Sequence, residues 1–211
     1  MSFSLGKKLG MTRFFDESGN HAPATLIQIG PCWITQVKSK STDGYNAVQI
    51  GFGLTRTKSL NKPRLAHLKK AGVESLRHLR EFRVDDPAAF KQGEILSPDR
   101  FKAGQRVTIS GISKGRGFAG VIKRHGFASP NATHGTHEYH RHPGAVGAHT
   151  DPGRLWKGQR LPGHMGNQRV TVKDLAIMKI DVEQNLMLVQ GAVPGARNGL
   201  VEITLSHQAS R

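Results

Sequence analysis

Ile177-Met178-Lys179-Ile180-Asp181-Val182, followed by Glu183-Gln184-Asn185 and then Leu186-Met187-Leu188-Val189, reads as strand, turn and strand. Met178, Ile180 and Val182 alternate with Ile177, Lys179 and Asp181, the period-two pattern of a strand with two different faces. Asn198-Gly199 is a second hairpin signal, and Val201, Ile203 and Leu205 follow it at the same spacing. Working outward, Val107 and Ile109 mark another strand. Near the N-terminus, Leu26 to Ile29 is interrupted by Pro31. Trp33, Thr35 and Val37 then alternate with Ile34, Gln36 and Lys38, and Asp43-Gly44 supplies a turn before Val48, Ile50 and Phe52. Many short strands with Gly-rich turns predict a small barrel or sandwich. Because the strands come from both ends of the chain, non-local pairing must close it.

Two stretches break this pattern. From about Leu54 to Gly93 the chain is charged. Pro63 to Ala71 predicts a helix with Pro63 at its start and Gly72 as a stop, and Leu76 with Leu79 predicts a second short helix before Glu81-Phe82-Arg83. From Gly126 to Gly166 the chain is rich in Gly, His, Pro and Arg and has almost no apolar periodicity. Such a run does not belong inside a compact domain. Either it is disordered or something outside the domain orders it. About 20 residues out and 20 back reach roughly 66 Å at ~3.3 Å per residue, against a radius of gyration of ~17 Å for a compact chain of this size.

The charge balance says what the partner is. The 211 residues carry 31 Lys and Arg against 15 Asp and Glu, a net charge of +16. A compact domain does not need that excess and is destabilised by it. The simplest partner is a polyanion, nucleic acid or an anionic membrane surface. Hydrophobic residues make up 36%, so a modest core is expected and a large one is not. A single cysteine, Cys32, excludes an internal disulfide framework and any multi-cysteine zinc site, and fits a reducing compartment. No apolar run approaches the ~20 residues of a membrane span, and the N-terminus lacks a secretion signal's hydrophobic core. A soluble, intracellular, strongly basic protein is expected.

Three sites merit weighing. Ser113-Lys114-Gly115-Arg116-Gly117-Phe118-Ala119-Gly120 contains G-x-G-x-x-G after a strand-like segment, the local context of a dinucleotide-binding turn. Its flanks are basic (Lys114, Arg116, Lys123, Arg124), and no second strand of a βαβ unit follows. The glycines have another use: they let backbone N–H groups approach phosphates that Lys114 and Arg116 neutralise. A merely flexible basic turn is the bland alternative. The histidines His134, His137, His140 and His142, with His125, His149 and His164 nearby, have ligand-like spacing for a metal. They lack cysteine partners and an H-E-x-x-H helix. Interleaved with Arg141, Arg154, Trp156, Lys157, Arg160 and Arg169, they instead match a surface that pairs guanidinium groups with phosphates and stacks on unpaired bases. A solvated disordered tract is the alternative here. Cys32 is expected to be a small core residue, and no nucleophile elbow or Walker loop is present. No basic amphipathic helix long enough for a membrane surface is present either.

Taken together, the residues resemble the universal large-subunit ribosomal protein L-three family in its bacterial form. The resemblance runs almost end to end: Gly6-Lys7-Lys8-Leu9-Gly10-Met11-Thr12, Thr42-Asp43-Gly44-Tyr45, Asn61-Lys62-Pro63 and Lys70-Ala71-Gly72-Val73 come in order. Ser113 to Gly120, Ala132-Thr133-His134-Gly135, His140-Arg141-His142-Pro143-Gly144, Gly163-His164-Met165-Gly166-Asn167 and Gly191 to Gly195 follow. It implies a mainly β protein: a six-stranded Greek-key barrel of the translation-protein type, with a small mixed insertion and a long irregular extension. Residues 1–53, 94–125 and 167–211 are then expected to form the barrel core, 54–93 the insertion and 126–166 an RNA-penetrating loop. The resemblance further implies a structural, non-enzymatic constituent of the large subunit that binds 23S rRNA towards its 3′ end and acts early in assembly. It would sit beside neighbouring ribosomal proteins and take no cofactor, metal or small-molecule substrate.

By position, the extension tip near the peptidyl transferase centre, where family members influence antibiotic response, would be Ala145, Val146, Gly147, Ala148, His149, Thr150 and Asp151. Two departures stand out. Some bacterial relatives carry a methylated glutamine where this chain has Thr150, so no such modification is expected. Where relatives often have Trp after Lys-Arg, this chain has His125.

Overall fold

A computed structural model of the chain describes residues 2–15, 19–73 and 75–206. Of the barrel segments expected from the sequence, residues 1, 16–18 and 207–211 lie outside the described residues. In chain order the first elements are β1 (Phe3–Phe15), β2 (His21–Ile29), β3 (Cys32–Lys38), the single turn α1 (Lys40–Asp43) and β4 (Ala47–Leu54). Then come α2 (Lys62–Lys70), β5 (Leu76–Arg83), β6 (Ile95–Leu96), β7 (Arg106–Ile112), β8 (Phe118–Ala119) and α3 (Val121–His125). The chain closes with β9 (Gly163–His164), β10 (Arg169–Asp181), β11 (Leu186–Gln190) and β12 (Leu200–Leu205). It divides into two compact units, Met1–Ile112 with Arg169–Arg211, and Ser113–Gln168.

The first unit holds a closed barrel in the order β1-β12-β7-β10-β11-β2, every neighbouring pair antiparallel. β7, β10 and β11 are successive neighbours, and β12 returns to lie beside β7, which is a Greek key. Alternation along the strands fills the interior with Ile27 and Ile29, Val107 and Ile109, Met187 and Val189, and Val201 and Ile203, all buried. Register shifts at Lys8/Gly10, Val172/Leu175 and Ile177/Lys179 supply the local bends that closing so small a barrel needs. Truncating Ile109→Ala is expected to cost about 2–5 kcal/mol, the range for emptying a close-packed aliphatic site. Urea unfolding would read this as a lower midpoint at constant m.

β3 and β4 belong to a second sheet, ordered β5-β4-β3-β6. One side of this sheet shares a core with the start of β1: Phe3 and Leu5 pack with Cys32, Ile34, Val48 and Ile50. The rings of Phe3 and Phe82 stack at 4.8 Å. α2 covers a smaller cluster of Leu68, Ala71, Val73 and Leu76. The helix expected around Pro63 is therefore present as α2, but the one expected at Leu76 and Leu79 is not. That segment is β5, paired with β4 from Leu54↔Leu76 to Ala47↔Arg83. Leu76, Leu79 and Phe82 are spaced by three, which mimics one face of a helix. The open edge of β4 offers a full ladder of hydrogen bonds, and tertiary pairing overrides the local pattern. Cys32 is buried, and desolvation raises its thiol pKa, so it is a core residue and not a nucleophile.

The β5 edge carries a small polar network. Lys38 Nζ lies 2.8 Å from Glu81 Oε1, Tyr45 donates its hydroxyl to Glu81 Oε2 at 2.8 Å, and Gln49 donates to Glu81 Oε1 at 3.3 Å. The Lys38 hydrogen bond holds the Glu81 carboxyl below its ordinary value, against burial, and Glu81 in turn raises Lys38. The Glu81 contribution is complete above the unfolded carboxyl value of ~4.3 and fades as pH falls through the lowered folded value. The Lys38 contribution is complete below ~10.4 and fades as pH rises through the raised one. With Glu81 a third exposed, Glu81→Gln is expected to cost no more than about 1 kcal/mol at pH 7. The gap between variant and parent, followed by thermal unfolding, should shrink below about pH 4.

Candidate nucleic-acid interface

Ser113–Gln168 is held together at its base by two chain segments lying side by side. Ser113 N–H donates to Gln168 O at 2.9 Å, Arg116 N–H to Met165 O at 2.9 Å, and Met165 N–H to Gly117 O at 2.9 Å. β8 and β9 continue the ladder with Phe118↔His164 and Ala119↔Gly163. α3 then starts at Val121 and ends at Gly126, which takes a left-handed conformation at φ 71°. Arg124 donates from Nη1 to the Leu161 carbonyl at 2.7 Å, and His125 Nε2 meets the same oxygen at 3.0 Å. Arg124 is thus half-buried and ties the two segments together.

The sequence places G-x-G-x-x-G at this base, and the structure shows what it does there. Gly117 allows φ 66°, and Phe118-Ala119 forms a two-residue strand antiparallel to β9. No parallel strand follows the five-residue α3 among the described residues, so the turn is not the start of a dinucleotide-binding βαβ unit. Lys114, Arg116 and Lys123 are exposed around it. Phe118, not singled out by sequence reasoning, is 80% exposed between these cations. An exposed phenylalanine ring two residues from Arg116 in sequence is the kind of flat surface on which unpaired bases stack. Its position inside a Gly-rich basic run was the signal that could have found it.

Between α3 and β9 the backbone is irregular apart from one 3-10 turn, His137–Arg141. His140 Nδ1 lies 3.0 Å from His137 O, and Ser129 donates its hydroxyl to the His140 carbonyl. His134 is exposed at φ 58°, and Arg141 is exposed. Tyr139, 63% exposed, meets His142 edge-on at 5.0 Å. Among the described residues no group of three His, Cys, Asp or Glu side chains is placed to hold a metal. Further on, the Arg154 guanidinium lies over the Trp156 ring at 5.7 Å, with Trp156 59% exposed and Lys157 and Arg160 exposed beside it in sequence. Every residue from Ala145 to Asp151 is exposed, and His149 Nδ1 lies 3.2 Å from the Thr150 hydroxyl. Arg169 stands apart from the other candidates. It belongs to the barrel unit, on β10, and reaches Glu202 at 2.5 Å, a carboxylate that Arg80 also contacts at 3.0 Å.

The electrostatics of Ser113–Gln168 are one-sided. It carries eight Lys and Arg side chains against two carboxylates, Glu138 and Asp151. Among the described residues every ion pair lies in the other unit: Lys38–Glu81, Arg80–Glu202, Arg100–Glu94 and Arg169–Glu202. Exposed cations, flat rings and accessible backbone on a scaffold with little apolar core suit a polyanion with unstacked bases.

A ribosomal protein L3 family model matches residues 82–185, a span that contains all of Ser113–Gln168. The chain is 48% identical over 205 residues to the large ribosomal subunit protein uL3 of Desulfitobacterium hafniense, covering 97% of this chain and 96% of the relative. The chain belongs to the ribosomal protein L3 family. The uL3 protein of Chloroflexus aggregans is 53% identical over 199 residues, covering 94% and 95% of the two chains. That of Herpetosiphon aurantiacus is 48% identical over 207 residues, covering 98% and 97%. As an L3-family member the chain is a structural protein and not an enzyme. No helix among the described residues is long and apolar enough to cross a membrane.

Proposed function

We propose that the chain is a structural constituent of the large ribosomal subunit, binding 23S rRNA towards its 3′ end and helping to nucleate assembly. In this reading Ser113–Gln168 supplies the main RNA-contacting surface, and residues 126–166 run towards the peptidyl transferase centre with Ala145–Asp151 as the tip. It works in the cytoplasm, bound to the ribosome among neighbouring large-subunit proteins. The observation that carries this is the set of exposed cations without carboxylate partners on irregular backbone, in a chain whose relatives are named as large-subunit proteins.

Lys114, Arg116, Lys123, Arg141, Arg154, Lys157 and Arg160 neutralise phosphates, while Trp156, His134 and His140 offer rings and hydrogen-bonding edges to bases. Arg124 acts through the chain's own backbone as well as its charge, because its Nη1 already serves Leu161. Arg169 contributes from the barrel, in competition with Glu202. Phosphate contacts set the register, and contacts to particular RNA folds choose the site.

The test is co-sedimentation. The chain is expected to pellet with large subunits from a lysate and to leave only at high salt. A chain that stays in the supernatant at low salt would overturn the assignment.

A further inference from the structure

Away from Ser113–Gln168, the barrel unit contains a cavity of about 390 Å3. That lies within the ~300–1,000 Å3 typical of small-ligand sites. Its wall is drawn from β1, the β2–β3 turn, the end of β4, the start of β5 and the approach to β12. Three of its lining side chains are basic, Lys7, Arg77 and His78, and none is Asp or Glu. Opposed to these are apolar surfaces: Trp33 is half-buried, Phe52 is buried, and Leu54 is 71% exposed at the mouth. Gln28 and Asn198 add two amides, each able to donate and accept. Burial, and the positive field of Arg77, Arg80 and Arg64, hold the His78 imidazole below its ordinary value.

We propose that this cavity holds one unstacked nucleotide of a single-stranded RNA segment, with its base against Trp33 and Leu54 and its phosphate between Lys7 and Arg77. The inference rests on the rRNA-binding reading and adds a second, separate contact on the globular unit. Charge complementarity decides the occupant. A second copy of this basic chain would bring like charge to Lys7 and Arg77, whereas a nucleotide pairs an anion with them and a flat apolar face with the ring-lined wall. The amides at Gln28 and Asn198 then face the polar edge of the base.

The experiment is NMR titration of the full chain with a single-stranded RNA hexamer, with AMP and with inorganic phosphate, following the Trp33 indole N–H and the His78 imidazole. The hexamer should shift both signals saturably, raise the His78 titration midpoint, and bind at least tenfold more tightly than AMP or phosphate. In Lys7→Ala/Arg77→Ala the same signals should respond at least tenfold more weakly. Arg77→Glu, at an exposed side chain, provides a second variant if the double one fails to fold. Silence of Trp33 and His78 while the hexamer shifts Trp156 would overturn the cavity assignment. AMP or phosphate binding as tightly as the hexamer would overturn it too, in favour of a free small anion. Co-sedimentation of the same preparation with large subunits reports separately on the rRNA reading. A failed cavity with intact co-sedimentation sinks this inference alone.

Discussion

Raising monovalent salt from about 50 to 200 mM is expected to weaken binding of the chain to large-subunit rRNA by about 10³–10⁵-fold, if six to ten of its cations meet phosphates. Ser113–Gln168 alone supplies eight cations, none paired with a carboxylate among the described residues. Each contact releases condensed counterions, so a plot of log affinity against log salt should be linear. Removing one phosphate contact, as in Lys157→Ala, should flatten the slope by about 1 and weaken all RNA sequences alike. Removing a base contact should leave the slope and cost about 1–3 kcal/mol at the cognate site only. Trp156→Ala and His140→Ala are the candidates for that second behaviour. Filter binding to rRNA fragments across salt separates the two classes. Affinity that barely moves over this range would refute the electrostatic mechanism.

The second large effect is expected at Gly166. Its φ of 76° disfavours any side chain, and a Cβ there would lie 2.2 Å from Lys114 O and 3.0 Å from Gly115 Cα. Both obstacles are backbone, so no rotamer change relieves them. Gly166→Ala must therefore part the two segments that Arg116 N–H to Met165 O and Met165 N–H to Gly117 O join. Gly158 is the control: its φ is 89°, and a Cβ there meets nothing within 4 Å. Gly158→Ala pays only left-handed strain, about 1–3 kcal/mol. The barrel has its own cores and should keep its unfolding midpoint in both variants. Recovery of the chain in large subunits should fall at least tenfold for Gly166→Ala and much less for Gly158→Ala. Equal behaviour of the two would refute the steric argument.

What the residues disclosed about the fold follows from how far each interaction reaches along the chain. Val107 and Ile109, or Val201 and Ile203, announce a strand because burial on one face forces alternation wherever the partner lies. They do not announce which sheet: β3 alternates as well as β7 does, yet pairs outside the barrel. Leu76, Leu79 and Phe82 misled because β5 is an edge strand rich in charge, and its structure is imposed by β4. β8 and β9 span two residues each, too short for any period to register. In the candidate interface, composition was enough to mark the cations and rings. The attachments of Arg124 to Leu161 and of Arg169 to Glu202 were not legible, because those partners lie 37 and 33 residues away.

The irregular course of residues 126–166 bears on the fate of a copy that never meets its RNA. Such a copy displays a long run of backbone with few internal partners, the kind of segment that processive and endoproteolytic enzymes engage first. The barrel beside it in sequence resists them, because opening it exposes two packed cores. On the proposed rRNA-binding reading, surplus molecules would be open to cleavage at the same residues that assembled ones cover, and protein abundance would follow the supply of ribosomal RNA.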